Sequence, residues 1–247
     1  MLKIIDRTIG RHHAPYVVAE ISANHAAGLD NAKLLLEAAK LAGCDAAKLQ
    51  TYTPESLTID CDRAEFMVTE GPWAGRKLFD LYREAQTPYA WHPELFALAR
   101  ELELTLFSTP FDAEGVELLE NLDCPAYKVA SFEILHLELL RAIAATHKPV
   151  ILSTGMATDQ EIDAAMSMLR DAGPVALLHC VSGYPTPVEQ TNLWRIKHLA
   201  NEHQCPVVGF SDHTTDVATA AAAVASGASI LEKHLRLPGI DSVDTEF

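Results

Sequence analysis

The sequence is poor in basic charge. Its 19 lysines and arginines stand against 34 aspartates and glutamates, a formal net charge of −15 over 247 residues. Duplex nucleic acid and anionic membrane surfaces are bound through a basic face that releases counterions, so neither is an expected partner. An anionic small molecule stays open on one condition: its pocket must gather positive charge locally against the overall field. Cysteine is scarce as well. Cys44, Cys61, Cys124, Cys180 and Cys205 are odd in number and form no Cys-x-x-Cys pair, which argues against a disulfide framework and against a thiolate zinc site. No run of about 18 apolar residues occurs, and Met1–Gly10 lacks the apolar core of a secretory signal. The expectation is a reduced, soluble, cytoplasmic protein. Low-complexity tracts, a domain linker and a Gly-x-Gly-x-x-Gly turn after the first strand are also missing, the last arguing against a dinucleotide fold.

What is present is a repeating alternation in a chain that is 49% hydrophobic, too apolar for disorder. The apolar runs are Tyr16–Ile21, Asp45–Thr51, Leu104–Thr109, Ala126–Ser131, Pro149–Thr154, Val175–Cys180, Val207–Asp212 and Ser229–His234. They are nearly continuous, as parallel strands covered on their outer face are. Helical stretches fill most gaps. Ala32–Ala42 carries leucines at helical spacing, Thr158–Glu161 reads as a capping box, and Ala218–Ala225 reads as a helix packed closely on the sheet. The arithmetic predicts an α/β fold, a (β/α)8 TIM barrel, as one domain over 1–247, in preference to an open doubly wound sheet.

Two irregularities interrupt it. A 52–91 insertion follows the second strand, where most such loops have about 2–6 residues. It holds Phe66, Trp73, Phe79, Tyr82 and Trp91, with a short amphipathic helix near Lys77–Ala85. Such a segment leaves the catalytic end of a barrel, as a lid or specificity loop or as a surface excursion with its own aromatic cluster. At the other end, 13 residues follow His234, too few for an eighth helix. The seam between the last and first strands is therefore expected to be bare or covered by a partner.

The C-terminal tips of barrel strands share one pocket. Here they carry Glu20; Lys48 and Gln50; Ser108 and Thr109; Lys128 and Ser131; Ser153 and Thr154; Ser182 and Tyr184; Ser211 and His213; and Glu232 and His234. Lys48 and Gln50 share one face of their strand by its period of two. A lysine in an apolar strand needs a counter-charge or suffers a large desolvation penalty. Lys128 occupies the matching position on the fourth strand. Two inward lysines with several hydroxyls describe a site for phosphate and carboxylate groups; internal ion pairs with Glu20 or Glu232 are the plainer alternative. His213 and His234, on adjacent strand ends, are a reasonable pair of ligands for a divalent transition metal, with Asp212 and Glu232 placed to orient their rings. The remaining histidines, among them His12, His13, His92, His136, His147, His198 and His203, sit in helices or loops and are read as structural.

These segments resemble a known family. Val18–His25, Ala47–Tyr52, Ser108–Phe111, Tyr127–Ser131, Leu152–Met156, Tyr184–Pro187, Phe210–Thr214 and Glu232–His234 are similar, in order and across the whole chain, to the sialic acid (nonulosonic acid) synthases. Within that family Trp73–Trp91 and Val243–Phe247 look most like the pseudaminic acid branch. The resemblance implies condensation of phosphoenolpyruvate with an open-chain 2-acetamido sugar, a 2,4-diacetamido-2,4,6-trideoxyhexose in this branch, to a nine-carbon 2-keto acid. N-acetylneuraminate or legionaminate synthase is the alternative within the family, and an inactive or ligand-binding catalytic-domain fragment is a further one. A metal-dependent hydrolase is disfavoured because no His-x-His closes the first strand.

Carried over residue by residue, Lys48, Ser108, Thr109, Lys128, Ser131, Ser153 and Ser211 would hold phosphoenolpyruvate. Gln50, Tyr184 and Asp244 would contact the sugar. His213 and His234 would bind Mn²⁺, with Mg²⁺ or Co²⁺ as substitutes, and Glu20 would handle a water proton. Many relatives have Asn where this chain has Ser182, which removes an amide contact there. The family also carries a small C-terminal antifreeze-like domain that reaches into the partner subunit's site with an arginine, and so forms a homodimer at full length; this chain is expected to lack it.

Overall fold

The sequence reading places the first strand at Tyr16, yet the chain opens earlier, with a short antiparallel hairpin of β1 (Leu2–Ile4) and β2 (Arg7–Ile9) in register Leu2↔Ile9. The computed structural model describes residues 1–245. Leu2, Ile4 and Ile9 are fully buried and belong to the main core cluster. Arg7 Nε donates to Asp45 Oδ1 at 3.0 Å, which ties the hairpin to the N-terminal end of the barrel.

The barrel itself is closed by eight parallel strands in the order β10-β3-β4-β5-β6-β7-β8-β9. They are β3 (Tyr16–Glu20), β4 (Ala46–Thr51), β5 (Thr105–Pro110), β6 (Tyr127–Val129), β7 (Val150–Ser153), β8 (Val175–His179), β9 (Val208–Asp212) and β10 (Ile230–His234). Each lies within one predicted apolar run or one residue beyond it. The covering helices are α1 (Leu29–Leu41), α4 (His92–Glu101), α5 (Ala113–Glu120), α6 (Leu137–Ala144), α7 (Asp159–Met168), α8 (Trp194–Glu202) and α9 (Ala218–Ala225), while α2 (Pro54–Leu57) and α3 (Leu78–Ala85) belong to the insertion. Among the described residues no helix follows β10, and none is long and apolar enough to cross a membrane.

Local rules account for the elements. In α1 the buried residues Ala32, Leu35, Leu36 and Ala39 recur at three- and four-residue spacing, one apolar stripe against the sheet. The capping box at α7 is formed as read: Thr158 Oγ1 accepts the Glu161 amide at 3.3 Å, and Glu161 Oε2 accepts the Thr158 amide at 2.8 Å. In β10 Leu231 is half-buried, and beyond the strand Leu235 and Leu237 are partly buried against the core.

Candidate active site

Register decides which side chains enter the barrel. Glu20 pairs with Lys48, Gln50 with Thr109, and His234 with Glu20, so these share the inner face. Leu49 pairs with Ser108, on the outer face. The cavity at the C-terminal end is lined by Glu20, Lys48, Gln50, Thr109, Phe111, Lys128, Ala130, Ser131, Phe132, Ser153, Cys180, Tyr184, Ser211, His213, Glu232 and His234. Ser108 is the correction. Its hydroxyl lies 2.6 Å from Thr51 Oγ1, which in turn meets His92 Nε2 at 2.8 Å, a buried outer-face network on the far side from the cavity. Two adjacent hydroxyl residues on one strand cannot both point inward, and Thr109 is the one that does.

The charges at the bottom of the cavity form a single array. Lys48 Nζ sits 2.6 Å from Glu20 Oε2 and 3.8 Å from Glu232 Oε2, and donates to Thr109 Oγ1 at 3.2 Å. Lys128 Nζ donates to Ser153 Oγ at 2.6 Å and to the Val129 carbonyl at 3.2 Å, with Glu232 Oε1 at 3.9 Å. Ser211 Oγ donates to Glu232 Oε1 at 2.8 Å. The sequence reading offered Glu232 either as an orienter of the histidines or as an ion-pair partner of a lysine; it stands between the two lysines. All four charged side chains are buried.

Burial and neighbouring charge then separate the two carboxyls. Desolvation, helped by the charge of Glu232, pushes Glu20 up to about 7 despite Lys48. Burial acts on Glu232 in the same direction, but Lys128, Lys48 and the Ser211 hydroxyl together hold it at about 2. Desolvation lowers Lys128, while in Lys48 it is outweighed by Glu20 and Glu232, which hold that ammonium above its ordinary value.

His213 and His234 lie at the rim with ring centroids 5.8 Å apart, and Tyr184 packs 4.4 Å from the His213 ring. Burial lowers the pKa of both, so each ring is neutral near pH 7. The tautomer of His213 follows from its partners. Nδ1 is 2.7 Å from the Val181 carbonyl, which only accepts, so Nδ1 carries the proton and Nε2 keeps its lone pair. Ser211, 3.3 Å from Nε2, has already given its one proton to Glu232. Asp212, expected to orient this ring, pairs with Lys233 Nζ at 2.8 Å and accepts the Thr214 amide; the ring is oriented by Val181. Two neutral imidazoles suit a divalent transition metal by their donor chemistry, and these two rings are the residues that would hold one. No cluster of three or more His, Cys, Asp or Glu among the described residues forms a closed cage.

Other predicted residues fall around this centre. Gln50 Nε2 donates to Ser22 Oγ at 3.1 Å and to Glu20 Oε1 at 3.4 Å. Ser131 Oγ accepts the Gly155 amide at 3.1 Å and lies 3.1 Å from Cys180 Sγ. Asp244 is buried outside the cavity lining, accepting the Ala23 amide on Oδ2 at 2.9 Å. The sequence reading missed Phe111, Phe132 and Cys180 in the wall, and Glu133 beside it. Desolvation pushes the Glu133 carboxyl up to about 7, with only Lys128 and its own backbone opposing. An acidic residue two positions beyond the polar tip Ser131 was the available signal.

The family model of the NeuB family matches residues 35–245. The chain belongs to the NeuB family. A pseudaminic acid synthase of Helicobacter pylori is 44% identical over 236 residues, covering 94% of this chain and 69% of that protein. An N,N'-diacetyllegionaminic acid synthase of Campylobacter jejuni is 34% identical, covering 90% and 67%. The crystal structure of N-acetylneuraminic acid synthetase from Leptospira borgpetersenii, in complex with citrate, superposes with a TM-score of 0.87 at 29% identity, covering 99% of this chain and 81% of that one. The resemblance drawn from the motifs is thereby borne out at the level of the family, and the (β/α)8 barrel with it.

Proposed function

We propose that this chain condenses phosphoenolpyruvate with an open-chain 2,4-diacetamido-2,4,6-trideoxyhexose, releasing phosphate and a nine-carbon 2-keto acid, the pseudaminic acid synthase reaction. The observation that carries it is the pair Lys48 and Lys128: two buried ammonium groups at the bottom of one cavity, each bonded to a hydroxyl, Thr109 and Ser153. Phosphoenolpyruvate has two anionic ends a few bonds apart, and two fixed cations hold such a molecule in register. Identity of 44% to a pseudaminic acid synthase, against 34% to a legionaminic acid synthase, favours the first sugar class.

In this reading the hydroxyls of Thr109, Ser131 and Ser153 supply hydrogen bonds to the anionic ends, joined by Ser211 when it exchanges its bond to Glu232 for one to the ligand. Gln50 and Tyr184 face the sugar from the cavity wall, with Asp244 behind Ser22 to complete that contact. His213 and His234 would hold the divalent ion, Mn²⁺ by preference, which when bound supplies Lewis-acid polarisation of the sugar aldehyde. C3 of the enol then attacks the aldehyde carbon, and the aldehyde oxygen takes a proton from solvent as it becomes a hydroxyl. Water adds at the electron-poor C2. Glu20, whose carboxyl is balanced between its two protonation states near pH 7, takes the proton that this water loses. The bond from C2 to the phosphate oxygen then breaks, the C2 hydroxyl passes its proton to the departing phosphate, and the ketone remains. The lysines act by charge alone.

The test is phosphate release by the purified chain with Mn²⁺ and phosphoenolpyruvate, against a panel of N-acetylmannosamine and 2,4-diacetamido-2,4,6-trideoxyhexoses. Release with the diacetamido sugars only is the expected result. Release with N-acetylmannosamine moves the assignment to a neuraminate synthase, and release with none of them overturns the proposal.

A further inference from the structure

The 52–91 insertion is the one large feature the chemistry above leaves unused. Its Trp73 donates the indole Nε1–H to the main-chain oxygen of Val243 at 2.6 Å, across 170 positions of sequence. Val243 stands in a segment with no strand or helix of its own, and the segment is tied down on its other side by the loop between β3 and α1. There Ser242 Oγ donates to Asn24 Oδ1 at 3.0 Å, and the Ala23 amide donates to Asp244 Oδ2 at 2.9 Å. Asp244 itself donates its amide to Ser242 Oγ at 3.2 Å.

The buried carboxylate that this arrangement delivers lies just outside the cavity lining, hydrogen-bonded to Ser22, whose hydroxyl accepts from the lining residue Gln50 at 3.1 Å. Its charge reaches two phenols, Tyr184 in the cavity wall and Tyr52 at the root of the insertion, adding to the burial that already raises both. Tyr52 packs edge-on against Phe111, another wall residue, at 5.3 Å, and against Tyr82 of α3 at 6.2 Å. Insertion, cavity wall and C-terminal segment are therefore one contiguous assembly. The two lysines that would hold phosphoenolpyruvate belong to β4 and β6, and their bonds and ion pairs run to Glu20, Thr109, Val129, Ser153 and Glu232 instead.

We propose that Trp73 is a positioning residue, which by holding Val243 fixes Asp244 against the sugar end of the site and so lets the insertion take part in choosing the sugar. The proposal rests on the reading of Asp244 as a sugar contact. A carboxylate accepts the N–H of an acetamido group or a sugar hydroxyl only over a narrow range of distance and angle, so loosening the segment weakens that contact while leaving the phosphoenolpyruvate end unaltered. A merely structural tie would shift both ends equally, or neither.

Trp73→Phe keeps the ring and removes the N–H donor. With the full chain, Mn²⁺ and the best sugar of the panel, it is expected to raise the sugar KM about 3- to 10-fold, the worth of one net hydrogen bond, with the phosphoenolpyruvate KM within about two-fold. Asp244→Asn is expected to raise the same sugar KM further, and the double variant to match Asp244→Asn alone, because Trp73 acts only through Asp244. Equal changes in both KM values, additive effects in the double variant, or no change on Trp73→Phe would overturn the proposal. Amide hydrogen exchange of peptides spanning 240–245 in the ligand-free chain gives a readout independent of turnover. Trp73→Phe is expected to speed it about ten-fold, and unchanged exchange overturns the clamp. A parent chain that releases no phosphate with any sugar refutes the proposed function and leaves the exchange result to decide the clamp.

Discussion

Replacing Glu133 by Gln is expected to stabilise the protein at alkaline pH and to do so only about a quarter as much at pH 5. Glu133 closes the short turn Ser131–Glu133 beyond β6, and its Oε2 is buried with no hydrogen-bond partner among the described residues. Desolvation outweighs the attraction of Lys128 and moves the carboxyl from 4.5 to about 7. A carboxyl raised by folding favours the folded state while it is protonated. That contribution is complete below pH 4.5, the unfolded value, and is lost as pH rises through about 7. At 1.36 kcal/mol per pH unit between those two values, ionisation of this one group costs the folded protein about 3 kcal/mol by pH 8.5. Glutamine has almost the same shape and is neutral throughout, so it does not suffer the loss. For a chain of this size the gain corresponds to roughly 2–4 °C of melting midpoint per kcal/mol. The assay is thermal or urea unfolding of both proteins at pH 5 and pH 8.5, and the decisive quantity is the difference between the two differences. An increment of several degrees at pH 8.5 with about a quarter of it at pH 5, where the unfolded carboxyl is already partly ionised, is the expected pattern. Equal increments at both values, or none at pH 8.5, would refute the argument that burial leaves this carboxyl uncompensated.

His213→Ala and His234→Ala are each expected to abolish the stimulation of phosphate release by Mn²⁺, cutting kcat at least about 100-fold, because in the proposed reading each supplies one of two ligands; phosphoenolpyruvate affinity, measured by equilibrium binding, should stay within about three-fold. Full activity in either variant would sink the metal assignment. Gly209→Ala should destabilise the barrel by about 3 kcal/mol or prevent folding, since a Cβ there would lie 2.5 Å from the Ile230 carbonyl oxygen and 2.5 Å from Leu178 Cδ2. Urea denaturation measures it, and a loss below about 1 kcal/mol would show that β9 and β10 can separate without cost.

The barrel was legible because its strands are buried on both faces, which writes each as an unbroken apolar run. The hairpin β1–β2 was not. Three-residue strands give too few positions for alternation to register, and the turn between them places Ile5 at φ 49°, a left-handed conformation that a β-branched residue does not advertise. In the site, the lysines and histidines stood out as polar residues in apolar strands, and strand parity placed Lys48 and Gln50 together. The same parity, not applied to Ser108 and Thr109, would have removed Ser108. Glu133 escaped because it lies past the strand end, where no period constrains direction. The bond from Trp73 to Val243 spans 170 residues and leaves no local trace in either segment.

The two readings of the buried lysines, an internal ion-pair network or an anion site, are two occupancies of one arrangement. An ammonium cannot stay charged in an empty, dry barrel without a counter-ion, and removing one partner of a buried pair is costly. Glu232 fills that need from between the lysines, but at 3.8 Å and 3.9 Å its contacts with them are looser than the 2.6 Å bond of Lys128 to Ser153 or the 2.6 Å approach of Glu20 to Lys48. Lys128, whose one ion pair among the described residues is its loose contact with Glu232, has capacity left for a closer anion, and Lys48 gains it when the Glu20 carboxyl beside it is protonated. The net charge of −15 does not prevent this. Exposed carboxylates are screened beyond about 8–10 Å at ordinary ionic strength, whereas two ammonium groups inside the barrel act across a few ångströms of poorly screened space. An anionic ligand therefore meets the local field of Lys48 and Lys128 rather than the average field of the chain, and a strongly acidic protein can bind a strongly acidic molecule at the one place where its positive charge is gathered.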